Sequence, residues 1–304
     1  MAQAIQKIAL NVGRDIPFNK LVLSQQNVRK TKAGISIEEL ADDIARRGLL
    51  TSLNVRAELD AEGKETGIYR IPAGGRRYRA LKLLVDYASI EKNILEGTYK
   101  GHESFLPQGF LGAISDKPYQ LNVAKAKELL AKAGLANGFT VTMDTRSVNP
   151  ITDIAQAIQA TWAQAGVKLE IIPGDGKQTL TKYRARTHDI YIGQWGPDYL
   201  DPHTNAETFA INEDNGEEAK SKTLAWRNAW DIPDMTKITQ ANVLESDASK
   251  RAAVYGELQR DHQKVSPFVI MFQQIEVSAE RKNVNGWVIG PSSDTNRYAP
   301  IVKN

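Results

Sequence analysis

The chain has 304 residues, 41% hydrophobic and 25% charged, which gives length enough for two domains and the composition of an ordinary globular protein. It contains no cysteine, which excludes disulfides, zinc–thiolate sites, thiol nucleophiles and lipid-modified cysteine, and no apolar run approaches the roughly 20 residues that cross a bilayer. The net charge of +3 hides an asymmetry: residues 1–85 carry 15 basic against 9 acidic residues, and the remainder is net negative, so two different partners are expected, the first a polyanion.

Residues 1–19 lack the clean apolar core of a secretory signal, so the sequence as written reads as cytoplasmic unless a leader has been removed. Leu21-Val22-Leu23 reads as a short extended entry, followed by a polar, basic loop over 24–31. Ser36 caps a predicted helix whose apolar face is Ile37, Leu40, Ala41, Ile44 and Ala45, and which ends at Arg46-Arg47-Gly48. Leu53 to Ala57 and Ile68 to Ile71 are predicted strands. Gly74-Gly75-Arg76-Arg77-Tyr78-Arg79-Ala80 then opens a helix. A glycine pair lets backbone amides approach an anion, and the arginines add forked donors suited to phosphate. A tight strand-to-helix turn with solvated arginines is the plainer alternative.

Asn27-Val28-Arg29-Lys30-Thr31, the predicted helix over 37–47 and Ala73 to Ala80 together resemble the N-terminal domain of ParB-type partition proteins. The resemblance implies that Arg29, Gly74, Gly75, Arg76, Arg77 and Arg79 contact the phosphates of a nucleotide, CTP in that family, or DNA. The family's further Glu-Asn-x-Gln-Arg motif and its DNA-reading helices do not occur in this chain, so residues 1–85 are expected to be a truncated module.

Ala80 to Leu95 is predicted as one helix with Leu81, Leu84, Ala88, Ile90 and Leu95 buried and Gly97 as its stop. Further predicted helices run over 123–133, 153–165 and about 179–186. They alternate with strands over 139–143, 167–172 and 190–192. This order argues for a mixed or parallel sheet with helices on both faces. Gly174-x-Gly176-Lys177-x-Thr179 is rejected as a phosphate loop, because Gln178 breaks the Gly-Lys-Thr adjacency and the first glycine is misplaced. Gly193 to Pro202 leaves a strand end, where open α/β sheets place their ligands. Trp195 and Tyr199 offer apolar walls with polar tips, and Asp198 a carboxylate for a cation.

Leu106-Pro107-Gln108-Gly109-Phe110, Ala124 to Leu130, Trp195 to Pro202, Lys250-Arg251-Ala252 and Val265-Ser266-Pro267 resemble the C-terminal half of the peptide-type, family 5 solute-binding proteins of ABC importers. The resemblance covers about 86–304. It implies one lobe of a type 2 periplasmic-binding-protein fold, with Asp198 holding the ammonium of a short peptide or small amine-bearing solute, Trp195 and Tyr199 lining the pocket, and an ABC permease as partner. The relatives are periplasmic and their site lies between two lobes, so a single lobe is expected to bind weakly.

His102, His188, His203 and His262 are scattered without metal-ligand spacing, and no Gly-x-Ser-x-Gly elbow occurs. The expectation is a fusion-like, non-catalytic α/β chain without resident cofactor or metal: a ParB-like module over 1–85 and a peptide-binding lobe over 86–304.

Overall fold

Strand Phe139–Arg146 (β5) sits at the centre of a three-stranded parallel sheet, flanked by Val167–Gly174 (β6) and Ile190–Ile192 (β7), in the order β6-β5-β7. The structure is a computed structural model that describes residues 21–23, 56–59, 65–71, 75–290 and 295–304, with side chains from residue 78 onward. Successive parallel strands need crossovers, supplied here by helix Ile151–Ala163 (α4) between β5 and its neighbour β6, and by helix Gly176–Arg184 (α5) from β6 past β5 to β7. The pairing runs from Phe139↔Val167 to Arg146↔Gly174 on one side and from Met143↔Ile190 to Thr145↔Ile192 on the other.

Side chains of opposite parity on this sheet enter two different cores. Val141, Met143, Val167, Leu169 and Ile192 pack with Ile154, Ala155, Ile158 and Trp162 of α4. On the other face Tyr191 stacks on Tyr183 of α5 with ring centroids 4.3 Å apart, and Lys182 Nζ donates to Asp144 Oδ1 at 2.8 Å. The expected helices on both faces are therefore present. β5 and β6 begin where the chain passes closely through two glycines: Gly138 has φ +77°, and a Cβ on it would lie 1.8 Å from the Gly166 carbonyl oxygen.

The second core is helical. Helices His203–Ala210 (α6), Leu224–Arg227 (α7), Pro233–Asn242 (α8) and Ala248–Val265 (α9) gather Phe105, Leu106, Tyr183, Ala206, Phe209, Leu224, Trp230, Ile232, Tyr255 and Leu258. Helix Val123–Ala131 (α3) starts at Asn122, whose side chain accepts from Lys125 N at 2.9 Å. Strand Tyr99–Gly101 (β4) pairs antiparallel with Phe272–Gln274 (β8), and Val284–Asn285 (β9) with Val302–Lys303 (β10).

Upstream, Leu21–Leu23 (β1), Arg56–Leu59 (β2) and Glu65–Ile71 (β3) form a second small sheet in the order β1-β3-β2, with β1 parallel and β2 antiparallel to β3. β2 runs two residues past the expected Ala57, and β3 begins three before Ile68. The helix expected over 37–47 lies outside the described residues.

The single helix expected over 80–95 is two. Gly75–Lys82 (α1) ends, and Tyr87–Asn93 (α2) begins after Asp86, whose carboxylate accepts from Ser89 N at 3.0 Å. Asp86 has φ −87° and ψ 76°, outside the helical region, because its side chain satisfies an amide that a continuous helix would bond through backbone. The restart rotates the face, so Ala88, expected inside, is exposed, whereas Ile90 and Leu95 are buried.

Ala80, Leu81, Leu84 and Val85 are buried in the first core, beside Ala126, Leu130 and the sheet. Lys82, from the same helix, is only 2% exposed: its Nζ donates to the Gln263 carbonyl at 2.8 Å and sits 5.1 Å from the centroid of the Tyr119 ring. Burial, with Arg79 nearby, lowers its pKa to about 7. Glu103, also buried, accepts from Tyr119 N at 2.9 Å, and burial raises its pKa to about 7.

Candidate functional site

All three strands of the parallel sheet end on the same side, so residues following Arg146, Gly174 and Ile192 share one rim. Val148, Ile172, Trp195, Tyr199 and Leu200 are exposed along it. Trp195, Asp198 and Tyr199 all lie on the loop 193–202 between β7 and α6, as the sequence predicts. They stand on an open surface: Trp195 is 39%, Tyr199 44% and Leu200 55% exposed, and Asp198 is exposed beside them.

The loop is held by few bonds. Near its start Gln194 Nε2 donates to the Tyr99 hydroxyl at 2.5 Å, and Asp198 N donates to Thr204 Oγ1 at 3.0 Å. At its end Asp201 accepts from Arg251 Nη1 and Nη2, each at 2.7 Å, and from His203 N at 2.8 Å. The bidentate guanidinium holds the Asp201 carboxyl below the usual carboxylate range.

Charged groups act on two tyrosines of this region. Burial raises the pKa of the Tyr199 phenol, and the carboxylates of Glu207, Asp201 and Asp198 raise it further. Burial also raises the Tyr191 phenol, but there Arg146, Arg227 and Arg184 act in the opposite direction. Arg227 lies 5.6 Å from the centroid of the Tyr183 ring, which stacks on Tyr191. Arg146, the last residue of β5, packs against Gly176 at the start of α5, where a Cβ would come within 2.6 Å of its Nη2. The Arg146 side chain has no hydrogen bond or ion pair among the described residues. Sequence reasoning missed it because the predicted strand stopped at Met143, leaving Arg146 in a loop of no special character.

The phosphate-contacting residues expected from the first segment are only partly in view. Gly75 is the first residue of α1, and Arg76, Arg77 and Arg79 follow within it. Arg79 is exposed. Arg29 and Gly74 lie outside the described residues, as do the side chains of Arg76 and Arg77. Residues 174–179 form the expected strand-to-helix turn, with Asp175 accepting from Gln178 N at 2.7 Å. His102, His188 and His262 are buried, and no group of three or more potential metal ligands occurs among the described residues.

Among solved structures, HbpA2 from Haemophilus parasuis superposes with a TM-score of 0.66 at 21% identity, over 87% of this chain and 52% of its own. A dipeptide-binding protein from a Pseudoalteromonas species in complex with Met-Leu gives 0.65 at 19% identity, over 76% of this chain and 45% of its own. Residues 76–217 match the model of the bacterial extracellular solute-binding proteins, family 5 Middle. The fold is similar to that of family 5 solute-binding lobes.

The chain is 27% identical over 222 residues to the dipeptide-binding protein of Pseudomonas aeruginosa. That alignment covers 69% of this chain and 40% of the relative, so the chain spans well under half the length of its curated relative. Residues 2–90 match the ParB N-terminal domain, overlapping the solute-binding match across α1. Family matches thus lie on both parts of the α/β chain expected from sequence.

Proposed function

We propose that the lobe binds a short peptide or small amine-bearing solute on the rim where the three parallel strands end. Asp198 receives the ligand's ammonium, Trp195 and Tyr199 pack against its apolar part, and Arg146 faces its carboxylate. The observation that carries this reading is that one rim presents the exposed carboxylate of Asp198 and the exposed guanidinium of Arg146 at the end of β5, with exposed apolar side chains alongside. A zwitterion with apolar side chains complements that arrangement, whereas a neutral or purely anionic solute leaves one charge unmatched. Exposed apolar residues gathered at such a rim mark a binding surface. The names of the relatives, dipeptide-binding proteins among them, support the peptide class, and delivery to an ABC permease accompanies the reading.

The test is thermal unfolding of the full chain with unmodified dipeptides. They raise the melting temperature of the wild-type protein, and Asp198→Ala removes the rise. A wild-type protein whose melting temperature no dipeptide moves ends this reading.

The match of residues 2–90 to the ParB N-terminal domain favours a second, separate activity in the first segment: binding of CTP or DNA phosphates through Arg29, Gly74, Gly75, Arg76, Arg77 and Arg79. Such binding weakens steeply with salt. Affinity for CTP or duplex DNA that is absent or insensitive to salt counts against it.

A further inference from the structure

We infer that Arg251 is a positioning residue for the ligand loop: from α9 it fixes the loop 193–202 without touching the ligand, so that Trp195 and Asp198 are pre-set for capture. This rests on the peptide-binding reading above.

The geometry is specific. Residues 193–202 carry no helix or strand, and the exposed Trp195, Tyr199 and Leu200 lack the packing that would hold them. Apart from the bond of Asp198 N to Thr204 Oγ1, the loop is held from its ends. Its far end is Asp201, and both carboxylate oxygens of Asp201 meet Arg251, Oδ2 with Nη1 and Oδ1 with Nη2, at 2.7 Å each. A planar fork on a carboxylate fixes direction as well as distance, which a point charge does not.

Arg251 is itself over-determined. Its Nε donates to the Asn242 carbonyl at 3.3 Å, Asn242 Nδ2 donates back to the Arg251 carbonyl at 3.1 Å, and Nη2 reaches the Tyr255 hydroxyl at 3.4 Å. Tyr255 is completely buried in the second core. The chain of contacts thus runs from a packed helix, through one guanidinium, to the end of a loop that has little else to hold it. A loop ordered beforehand spares the ligand the cost of ordering it, and that saving appears as affinity.

The experiment uses the full chain labelled with fluorotryptophan, with Trp195→Phe identifying the Trp195 fluorine resonance. Arg251→Met and Asp201→Asn each remove the fork, the second without altering α9. Both are expected to shift or broaden the Trp195 resonance while those of the buried Trp162, Trp226 and Trp230 stay in place. Arg251→Lys, which keeps charge but not the fork, is expected to restore part of the wild-type signal. Dipeptide affinity by calorimetry falls on the order of tenfold in Arg251→Met and less in Arg251→Lys. A Trp195 resonance unmoved in Arg251→Met and Asp201→Asn overturns the inference. So does a change spread equally over all the tryptophans, which marks a packing role. If wild-type protein binds no dipeptide, the peptide-binding reading fails, while the Trp195 resonance still decides whether Arg251 holds the loop.

Discussion

On the proposed peptide-binding reading, Asp198 answers to the ammonium end of a peptide and Arg146 to its carboxylate end. A dipeptide acetylated at its N-terminus is expected to lose on the order of tenfold or more in affinity for the wild-type protein and almost nothing further on Asp198→Asn. An amidated C-terminus pairs in the same way with Arg146→Met. Calorimetry with the four combinations of peptide and protein reads this directly, and additive losses would separate the residue from the ligand group assigned to it.

The buried pair Lys82 and Glu103 makes a different claim, on pH. Between pH 4.5 and about 7 the unfolded chain has released the Glu103 proton while the folded chain keeps it, so this group's contribution to stability falls as pH rises. Between about 7 and 10.5 the unfolded chain holds the Lys82 proton that the folded chain has released, so stability climbs again. The pair therefore adds a trough near pH 7. His188, lowered by burial to about 4, and His262, lowered well below 6.5, stabilise with rising pH over the acid side of that range. The readout is accordingly the difference between wild type and Lys82→Met/Glu103→Gln in urea unfolding at pH 5, 7 and 9. The difference is expected to be most unfavourable to wild type at pH 7.

Part of the candidate site was legible at this scale. Trp195, Asp198 and Tyr199 stand out because an aromatic, acidic stretch follows a strand. Arg146 does not stand out, since what marks it is an unpaired guanidinium at a strand end, and Arg251, though part of a quoted motif, gives no sign of its fork across 50 residues of chain to Asp201.

Among the elements, those whose limits are set locally could be read from sequence. β7 has the expected bounds, and α4 and α5 lie within two or three residues of theirs. β5 runs on to Arg146 because β6 pairs with it that far, a fact of tertiary pairing that local propensity does not contain. The break between α1 and α2 was hidden for the opposite reason. Leu81, Leu84 and Leu95 have helical spacing, and one capping carboxylate, Asp86, outweighs it. Asp86→Ala is expected to cost about 1 kcal/mol of stability by loss of the cap, and Asp86→Asn much less. Denaturant unfolding measures both, and equal losses would mean that charge rather than capping is at work.

On the scale of the molecule, the polarity of the charge distribution and the two family matches suggest a cut near residue 85, yet the packing crosses it. Ala80, Leu81, Leu84 and Val85 belong to the core that holds Trp162 and Ile192. Replacing a single buried leucine by alanine costs about 2–5 kcal/mol. A chain beginning at residue 86 lacks all four side chains and is expected to show no cooperative thermal transition. A chain beginning at Gly75 is expected to retain one. Calorimetry on the two distinguishes them, and a sharp transition in the shorter one would make α1 dispensable to the lobe.

The shared helix also orders events during synthesis. α1 leaves the ribosome well before α4 and β7, so Leu81, Leu84 and Val85 emerge with their neighbours still untranslated. Leu81, Leu84 and Val85 thus lack their full set of neighbours until β7 is through the exit tunnel.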